Sequence, residues 1–418
     1  VRHPAAKMMV SMAESQEEDC GDGVTTTMLL CGSLLIEANN LFRKGLHPLT
    51  LIDGYELSLK TAILQIEKDL IKCDEKTLFE VAETSLRGKV AGTALQSFAS
   101  LIVKALSTVL DSRGEASAEH VSMFKSGKGS IGDSRLVNGI ILRRRVLMDN
   151  LPNDLLDAKV ACLNGDLKIR KMSRDVEMKI TSADDLDSFV GAEKGRKENI
   201  FRSILDSGAR VVLCSGEIER DILHMLCQRS ILAVEGLDAS ELRNASDATG
   251  AKIVENPRDI EASDLGQCGR ASWERKQATN EVEDVIRIEG CPNPSVVTIE
   301  IGGAGGVGTE EVIRGIHDSL RSTSLALNEY VLPGAGSIHS RIAQAVRSAS
   351  EKQAGRERLA MEAFSRAMET IPATLVENAG GEPLDRILEL RSTSLAEPPV
   401  GISEDGKKWI VEGVWHPR

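Results

Sequence analysis

A change in hydrophobic spacing, from helical to alternating and back to helical, constrains the fold of this chain most. Up to about residue 73, apolar residues recur three and four positions apart, and the same spacing returns from 309 to about 370. Between these regions, short apolar segments alternate with helical ones, which predicts a β-α-β-α-β order and a parallel sheet. A chain that leaves a helical domain, builds an α/β domain and comes back has a nested, discontinuous architecture.

The middle region is predicted to contain six strands and three helices. The strands are predicted at 158–163, 209–214, 231–234, 252–254, 284–289 and 295–301. The helices are predicted at 197–207, 217–228 and 240–249. In the flanking regions the helices are predicted at 5–18, 28–42, 48–70, 76–82, 92–110 and 309–330, with a break at 84–89.

The turn Gly21-Asp22-Gly23 separates the first two helical patterns and is a candidate phosphate site. Its glycines let the backbone approach a ligand closely, and the first amides of the next helix face an anion. The hydroxyls of Thr25 and Thr26 add donors, and Asp22 supplies the hard oxygen that Mg²⁺ prefers. Taken alone, these residues fit an ordinary Asx turn with threonine caps. The other motifs therefore decide between the two interpretations.

Asp318 is a candidate base on the predicted helix at 309–330. The apolar residues of this helix fall on one side, so His317 and Asp318 can face a cleft on the other. An exposed aspartate is most often a solvated charge. It becomes catalytic where it orients water against a phosphate held elsewhere.

Two glycine-rich segments are open to more than one interpretation. Residues 302–308 contain G-x-G-x-x-G between a strand and a helix, the placement of a dinucleotide site, but no strand with an acidic residue follows about twenty positions on. A strand-to-helix joint fits this segment better. Gly334-Ala335-Gly336 opens a helix and either admits a flat base to the backbone or bends the chain between domains. The sequence contains no Walker A, G-x-S-x-G or H-E-x-x-H motif.

Composition excludes several classes of partner. The 51 basic and 63 acidic residues give a net charge of −12, and no long basic run is present, so we expect neither nucleic acid nor a membrane as partner. No apolar run of eighteen residues and no signal peptide occur. The eight cysteines are scattered without C-x-x-C, which is typical of buried thiols in a cytoplasmic protein.

Taken together, eight motifs in order make the chain resemble a group II chaperonin subunit, the class of the archaeal thermosome and the eukaryotic cytosolic chaperonin. They are His3-Pro4-Ala5-Ala6-Lys7, Gly21-Asp22-Gly23 with Thr25-Thr26, Gly45 with His47-Pro48, Thr84-Ser85 with Gly88-Lys89, Gly290-Cys291 with Asn293-Pro294, His317-Asp318, Val331 with Pro333-Gly334 and Gly336, and Ile371-Pro372 with Thr374-Leu375 and Glu377-Asn378-Ala379-Gly380.

The resemblance implies a multi-domain α and α/β fold, nested in the manner of chaperonins. It implies a helical equatorial domain at 1–73 and 333–418 and a small α/β intermediate domain at 74–138 and 293–332. An α/β apical domain at 139–292 would bind clients and carry a helical protrusion near 181–201. Leu186, Phe189 and Val190 of that protrusion are the expected client-binding residues.

The resemblance also implies a site for ATP and Mg²⁺. Asp22 would ligate the metal, and Gly21 and Gly23 would help to hold the phosphates. Thr25 and Thr26 would also hold the phosphates.

Three further roles follow from the same resemblance. Asp318 would be the catalytic base for water, Lys89 would sense the γ-phosphate, and Gly334 and Gly336 would line the base side of the nucleotide. The implied function is an ATPase that binds and encloses unfolded protein, assembled with like or paralogous subunits in a double ring.

The chain departs from the family pattern at several positions. Val24 replaces a threonine, Ala335 the middle glycine of its turn, and His339 a glutamate, while Val411 falls where an acidic ribose contact is expected. The family's N-terminal phosphate loop and Asn-Asp-Gly-Ala-Thr turn, and its C-terminal inter-subunit strand, have no counterpart here. We therefore expect either part of a longer gene product or a degenerate paralogue, with poor ring assembly and little ATPase activity for these 418 residues.

Two alternatives to the ATPase hypothesis stay open. A chaperonin-like protein can bind clients or nucleotide without turnover, although the presence of both Asp22 and Asp318 argues against this. A dinucleotide-dependent oxidoreductase that uses 303–308 ranks last.

Overall fold

The computed structural model of the chain describes residues 3–90, 92–110, 115–168, 183–277, 282–303, 307–328, 330–393 and 395–417. Within these ranges the α-helices are α1 Pro4–Cys20, α2 Val24–Arg43, α3 Pro48–Asp69, α4 Glu75–Leu86, α5 Gly92–Thr108, α6 Ala183–Ser207, α7 Arg220–Gln228, α8 Ala239–Thr249, α9 Val307–Asn328, α10 Ser337–Ser350, α11 Glu357–Met368, α12 Thr370–Asn378 and α13 Pro383–Arg391.

The strands of the same ranges form four sheets. They are β1 Ile71–Lys72, β2 Val121–Lys125, β3 Arg135–Val137, β4 Gly139–Arg143, β5 Asp154–Leu163, β6 Val211–Cys214, β7 Leu232–Val234, β8 Ile253–Val254, β9 Gly266–Gln277, β10 Val282–Glu289, β11 Val297–Ile301, β12 Tyr330–Pro333, β13 Val400–Ile402, β14 Lys408–Ile410 and β15 Trp415–Pro417.

The chain forms two compact units in the nested order that the sequence predicts. The helical unit contains Val1–Val103, Gly114–Ala118 and Gly306–Arg418, and the α/β unit contains Lys104–Arg113 and Glu119–Gly305. The multi-domain α and α/β fold class is therefore confirmed. The boundaries proposed for equatorial, intermediate and apical domains stay a prediction.

Close packing of α3 against α10 and α11 builds one core of the helical unit. Pro48 occupies the first turn of α3, and the His47 imidazole accepts a hydrogen bond from the Leu49 amide at 3.2 Å, which caps the helix. Its inner face carries small or polar residues, and Gly54 lies so close to α11 that an added Cβ would be 2.5 Å from the Ala360 Cβ. The buried apolar residues of this core are Ala62, Ile338, Ile342, Ala343, Val346, Met361, Phe364 and Met368.

Two small antiparallel sheets complete the helical unit. In the first, β12 lies between β1 and β15, and in the second β13 pairs with β14. Both contain very short strands that a periodicity of two does not reveal.

A seven-stranded sheet forms the α/β unit, in the order β4-β10-β9-β5-β6-β7 with β8 also on β5. The predicted parallel sheet is correct only in part: β5, β6, β7 and β8 run parallel, whereas β4, β9 and β10 pair antiparallel. A third sheet places β11 between β2, which is parallel to it, and β3, which is antiparallel.

Several predicted element bounds were wrong. Helix α4 continues through 84–86, where a break was predicted, because Leu86 is fully buried and Ser85 is also inside. Helix α6 begins at Ala183, earlier than the helix predicted at 197–207, and it includes most of the segment where the resemblance implies a helical protrusion. After β12 the helices continue to Arg391 rather than to about 370. In the described part of the chain, no helix has both the length and the apolar character needed to cross a bilayer.

Candidate nucleotide site

The Gly21-Asp22-Gly23 turn joins α1 to α2 through two left-handed glycines. Gly21 has φ +72° and ends α1, and Gly23 has φ +82° and begins α2. The Asp22 Oδ1 accepts a hydrogen bond from the Gly23 amide at 2.9 Å, and the Gln16 side chain donates to the Asp22 carbonyl at 3.0 Å. The turn thus holds a carboxylate at the positive end of a twenty-residue helix.

Helix α9 packs directly on this turn. A Cβ at Gly21 would lie 2.6 Å from the Arg321 Cβ and 3.2 Å from the Asp318 carbonyl oxygen, so only glycine fits. Arg321 also donates to the Glu17 carbonyl at 2.8 Å, which ties α9 to the last turn of α1. The contact therefore places Asp318 beside the turn that carries Asp22.

Lys89 connects the two carboxylates. Its Nζ lies 3.0 Å from Asp318 Oδ2 and 3.5 Å from Asp22 Oδ1. The three side chains are partly screened from solvent, with exposed fractions of 15% for Asp318, 27% for Lys89 and 41% for Asp22. The structure thus brings together three residues to which the resemblance gave separate roles.

The end of α4 supports this cluster with a residue that received no role in the sequence analysis. Ser85 donates its hydroxyl to Asp22 Oδ2 at 3.0 Å, so both oxygens of that carboxylate accept hydrogen bonds. Ser319, next to Asp318, donates to the Ala82 carbonyl at 3.1 Å and fixes α9 against α4. The Thr84-Ser85 motif was the sequence signal that could have identified Ser85. This serine lies four positions before Lys89 and contacts the same carboxylate, that of Asp22.

Thr25 and Thr26 lie in the first turn of α2, where Thr25 is exposed and Thr26 is half-buried. The first amides of a helix have no partner within it, so this turn offers donors to an anion. Val24, at the first position of α2, offers its amide but no hydroxyl.

The second glycine turn, Gly334-Ala335-Gly336, leads from β12 into α10. A Cβ at Gly334 would lie 2.8 Å from a Val414 methyl group and 2.9 Å from the His416 Nε2, so the turn packs tightly on the C-terminal segment. Gly336 begins α10 with φ +73°, and Ala335 is itself left-handed with φ +54°. The predicted helix-opening turn is therefore present.

A cleft of about 870 Å³ lies beside this turn within the helical unit. Ala335 lines it, as do Arg87 and Gly88, which directly precede Lys89 in the chain. Gly334 and Gly336 support this wall rather than face the cleft. The remaining lining residues are Leu375, Asn378, Ala379, Ile402, Ser403, Glu404, Asp405, Trp409, Glu412 and Val414.

This cleft combines apolar and acidic surfaces. Leu375, Ile402 and Trp409 can cover the face of a flat base, and the carboxylates at the rim can accept hydrogen bonds from amino or hydroxyl groups. Arg87 and Glu404 form an ion pair of 2.8 Å across the lining. Val411, which falls where the resemblance leads us to expect an acidic residue, is buried and is not part of the lining.

His339 is an unusual residue beneath the glycine turn. Its Nδ1 is buried without a hydrogen-bond partner among the described residues. Burial, and to a smaller degree the neighbouring His416, lowers the pKa of His339 to about 4. The imidazole is therefore neutral at neutral pH.

The donor set suits Mg²⁺ in company with phosphate. Mg²⁺ in nucleotide sites is commonly held by one or two carboxylates, with phosphate oxygens and waters completing the octahedron. The two aspartates supply such carboxylates next to a helix N-terminus that favours anions. Among the described residues, no group of three or more histidine, cysteine or acidic side chains could hold a metal without a ligand.

Two other predicted features do not form part of this cluster. Leu186, Phe189 and Val190 fall within α6, but their side chains lie outside the described residues, as does the segment 304–306 of the G-x-G-x-x-G motif. β11 precedes α9, but the next strand, β12, pairs with β1 and β15 rather than with β11. The βαβ unit of a dinucleotide site is therefore not formed.

Comparison with known proteins identifies the class. Residues 1–418 match the TCP-1/cpn60 chaperonin family. Thermosome subunit alpha of Archaeoglobus fulgidus is 34% identical over 398 residues, which cover 94% of this chain and 72% of that protein. The thermosome subunit of Methanopyrus kandleri is 34% identical over 432 residues, covering 100% of this chain and 78% of the relative.

A solved structure agrees with these relatives. The open state monomer of a group II chaperonin from Methanococcoides burtonii matches with a TM-score of 0.65 and 25% identity, over 95% of this chain and 94% of that one. The chain belongs to the TCP-1/cpn60 chaperonin family. Within that family it is a group II chaperonin, similar to thermosome subunits, and thus a molecular chaperone, as the eight motifs predicted.

Proposed function

We propose that this chain is an ATP-dependent chaperonin subunit that binds Mg²⁺ and ATP, hydrolyses the nucleotide, and uses the cycle to enclose and fold unfolded protein. The observation that carries the proposal is the contact of Lys89 with both Asp22 and Asp318. These residues belong to three segments distant in the sequence, and they meet beside a helix N-terminus. Mg²⁺ held there by Asp22 would neutralise charge on the phosphates.

The roles of the residues follow from their positions. The amides of Gly23 and of the first turn of α2, with Thr25 and Thr26, bind phosphate oxygens. Asp22 is fixed by two hydrogen bonds and so presents its carboxylate in one orientation to a cation. Asp318, the least exposed of the three, accepts the proton of the attacking water.

The neighbouring cleft is the proposed place of the nucleotide base. Arg87 and Gly88 line the cleft and Lys89 follows them, so one short loop connects the base side to the phosphate side. Gly334 and Gly336 flank Ala335 and allow the backbone of this turn to form a wall of the cleft. This arrangement supports a nucleoside triphosphate rather than an isolated phosphate.

The remaining parts of the proposal concern partners. Unfolded or partly folded protein would bind the α/β unit, with Leu186, Phe189 and Val190 as the client-binding residues. Like or paralogous subunits would complete a double ring. A cytoplasmic location stays a prediction.

Calorimetric titration with ATP–Mg²⁺ and with NADH, together with phosphate release by the assembled protein, tests the proposal. We expect ATP binding and slow hydrolysis, and no NADH binding. NADH binding without ATP binding would instead support the oxidoreductase that was ranked last.

The Asp22→Ala variant tests the role of Asp22 in the same titration. It removes a metal ligand, so the affinity for ATP–Mg²⁺ should fall at least about tenfold. Asp19→Ala is the matched control, because Asp19 is an exposed carboxylate in the last turn of α1 that contacts Ser15 instead. Equal nucleotide affinity in Asp22→Ala and Asp19→Ala would remove Asp22 from the site.

A chaperonin that binds without turnover is the second candidate, and His339 favours it. A neutral, unpaired imidazole lies under the glycine turn where the family resemblance leads us to expect a glutamate. ATP binding with no phosphate release in the assembled protein would select this second candidate.

A further inference from the structure

We propose that Lys89 is a built-in counter-ion that keeps divalent metal away from Asp22 and Asp318 until a phosphate chain arrives. The inference rests on the nucleotide site proposed above and concerns its regulation. It predicts that metal and nucleotide enter together, and that the empty site has little affinity for metal alone.

The position of the ammonium group is the first step of the argument. Lys89 Nζ lies 3.0 Å from one carboxylate and 3.5 Å from the other, so it occupies the space between them. A Mg²⁺ ion shared by the two aspartates would need that same space, because its oxygen ligands lie about 2.0–2.1 Å away. The lysine and a bare metal ion therefore compete.

Charge is the second step. Two carboxylates and one ammonium carry a net charge of −1, whereas the carboxylate pair alone would carry −2. A divalent cation is attracted less strongly to the compensated cluster and is repelled by the ammonium at short range. Partial burial of Asp318 and Lys89 reduces solvent screening of both effects.

The structure also explains how Lys89 can leave. The base of its side chain is held, since the Lys89 amide donates to the Leu86 carbonyl at 3.1 Å and a Cβ at Gly315 would lie 3.0 Å from the Lys89 Cβ. Beyond that point lies a flexible four-carbon stem. A bound terminal phosphate offers the ammonium a new anionic partner, and its departure frees the carboxylates for the metal.

Binding of Mn²⁺ in the absence of nucleotide, followed by electron paramagnetic resonance, tests this inference without any measurement of turnover. We expect Lys89→Met to bind Mn²⁺ at least about tenfold more tightly than the wild-type protein. Lys89→Arg keeps the positive charge, so it should bind the ion as weakly as the wild type. Adding Asp22→Asn to Lys89→Met should abolish the gain.

Arg314→Met is the matched control. Arg314 lies one turn before Asp318 on α9 and pairs with Glu17 at 3.7 Å rather than with either aspartate. Its removal should change the Mn²⁺ affinity less than twofold. An equal gain in Mn²⁺ affinity in Arg314→Met and Lys89→Met would show that the gain comes from the loss of any nearby positive charge, and it would overturn the inference.

Equal Mn²⁺ affinity in Lys89→Met and the wild type, with both folded by circular dichroism, would also overturn it. A separate titration with ATP–Mg²⁺ distinguishes this failure from that of the proposed function. If the wild type does not bind ATP but Lys89→Met still gains Mn²⁺ affinity, the nucleotide site and the release of Lys89 by phosphate are wrong, and only the exclusion of metal by Lys89 stands.

Discussion

Ala335, in the second glycine turn, and His339, in the helix that follows it, each lower the stability of the folded chain. His339 places an imidazole in a space where one nitrogen finds no partner among the described residues, and Ala335 adopts a left-handed backbone that glycine adopts more readily. Both residues lie on the base side of the proposed nucleotide site. Each gives a stability prediction.

The first prediction concerns pH. The pKa of His339 is about 4 in the folded protein, below the usual value of about 6.5 for an unfolded chain. The unfolded chain therefore binds a proton first as the pH falls from 6.5 to 4, and the free energy of unfolding decreases over this window by about 2–3 kcal/mol. Above pH 6.5 the free energy of unfolding no longer depends on the protonation of His339, and the full stability is present.

His339→Gln should remove this part of the dependence and leave the part due to His416, whose pKa burial also lowers, while His120→Gln, which changes an exposed histidine, should leave both. Urea unfolding at pH 7 and pH 4.5 measures the difference. The same pH slope in His339→Gln and the wild type would show that another group is responsible.

Ala335→Gly gives the second prediction. A left-handed alanine costs about 1–2 kcal/mol, part of which is offset by the greater unfolded-state entropy of glycine, so the variant should be more stable by about 0.5–1 kcal/mol. Ala349→Gly, within α10, should instead destabilise by about 1 kcal/mol. Thermal unfolding of the two variants compares them, and destabilisation by Ala335→Gly would contradict the backbone assignment.

At the scale of elements, one strand explains why the parallel sheet was predicted only in part. Residues 154–160 of β5 pair antiparallel with β9, and residues 160–163 pair parallel with β6. The burial pattern changes at the same point, from partly exposed to continuously buried. The buried half gave the apolar run recognised in the sequence, as parallel strands do, and the half-exposed part did not.

Two glycines in neighbouring helices provide the third prediction. A Cβ at Gly54 in α3 would lie 2.5 Å from the Ala360 Cβ and 2.7 Å from the Glu357 carbonyl oxygen, whereas one at Gly32 in α2 would meet nothing within 4 Å. Gly54→Ala must push α3 and α11 apart, at a cost of about 1–3 kcal/mol.

Gly32→Ala is the matched control for the same substitution. It should stabilise by up to about 1 kcal/mol, because alanine is the better helix former. Chemical denaturation of both variants measures the contrast. Equal effects would mean that α3 does not contact α11 as closely as described.

At the scale of the whole molecule, the sequence predicted the nested order because helical and alternating spacings are strong signals over long segments. Short motifs also singled out Asp22, Lys89 and Asp318, which the structure brings together, whereas Ser85 received no role. The resemblance placed Asp22, Lys89 and Asp318 in one site, but the ion pairs of Lys89 with both aspartates were not predictable, since they depend on the approach of α9 to the first turn. The short strands β13 and β14, which contribute Ile402 and Trp409 to the lining of the cleft, leave no periodic pattern.

The central claim is that Asp22, Lys89 and Asp318 act on one phosphate chain. Asp318→Asn tests it most directly, with Glu311→Gln, an exposed residue of α9, as control. In the assembled protein, phosphate release and ATP–Mg²⁺ affinity are measured for both variants. We predict that Asp318→Asn binds the nucleotide within a few-fold of the wild type, since Asp22 still supplies a carboxylate to the metal, but releases phosphate at least about a hundredfold more slowly, since the proton acceptor is lost. Undiminished phosphate release by Asp318→Asn would contradict the claim.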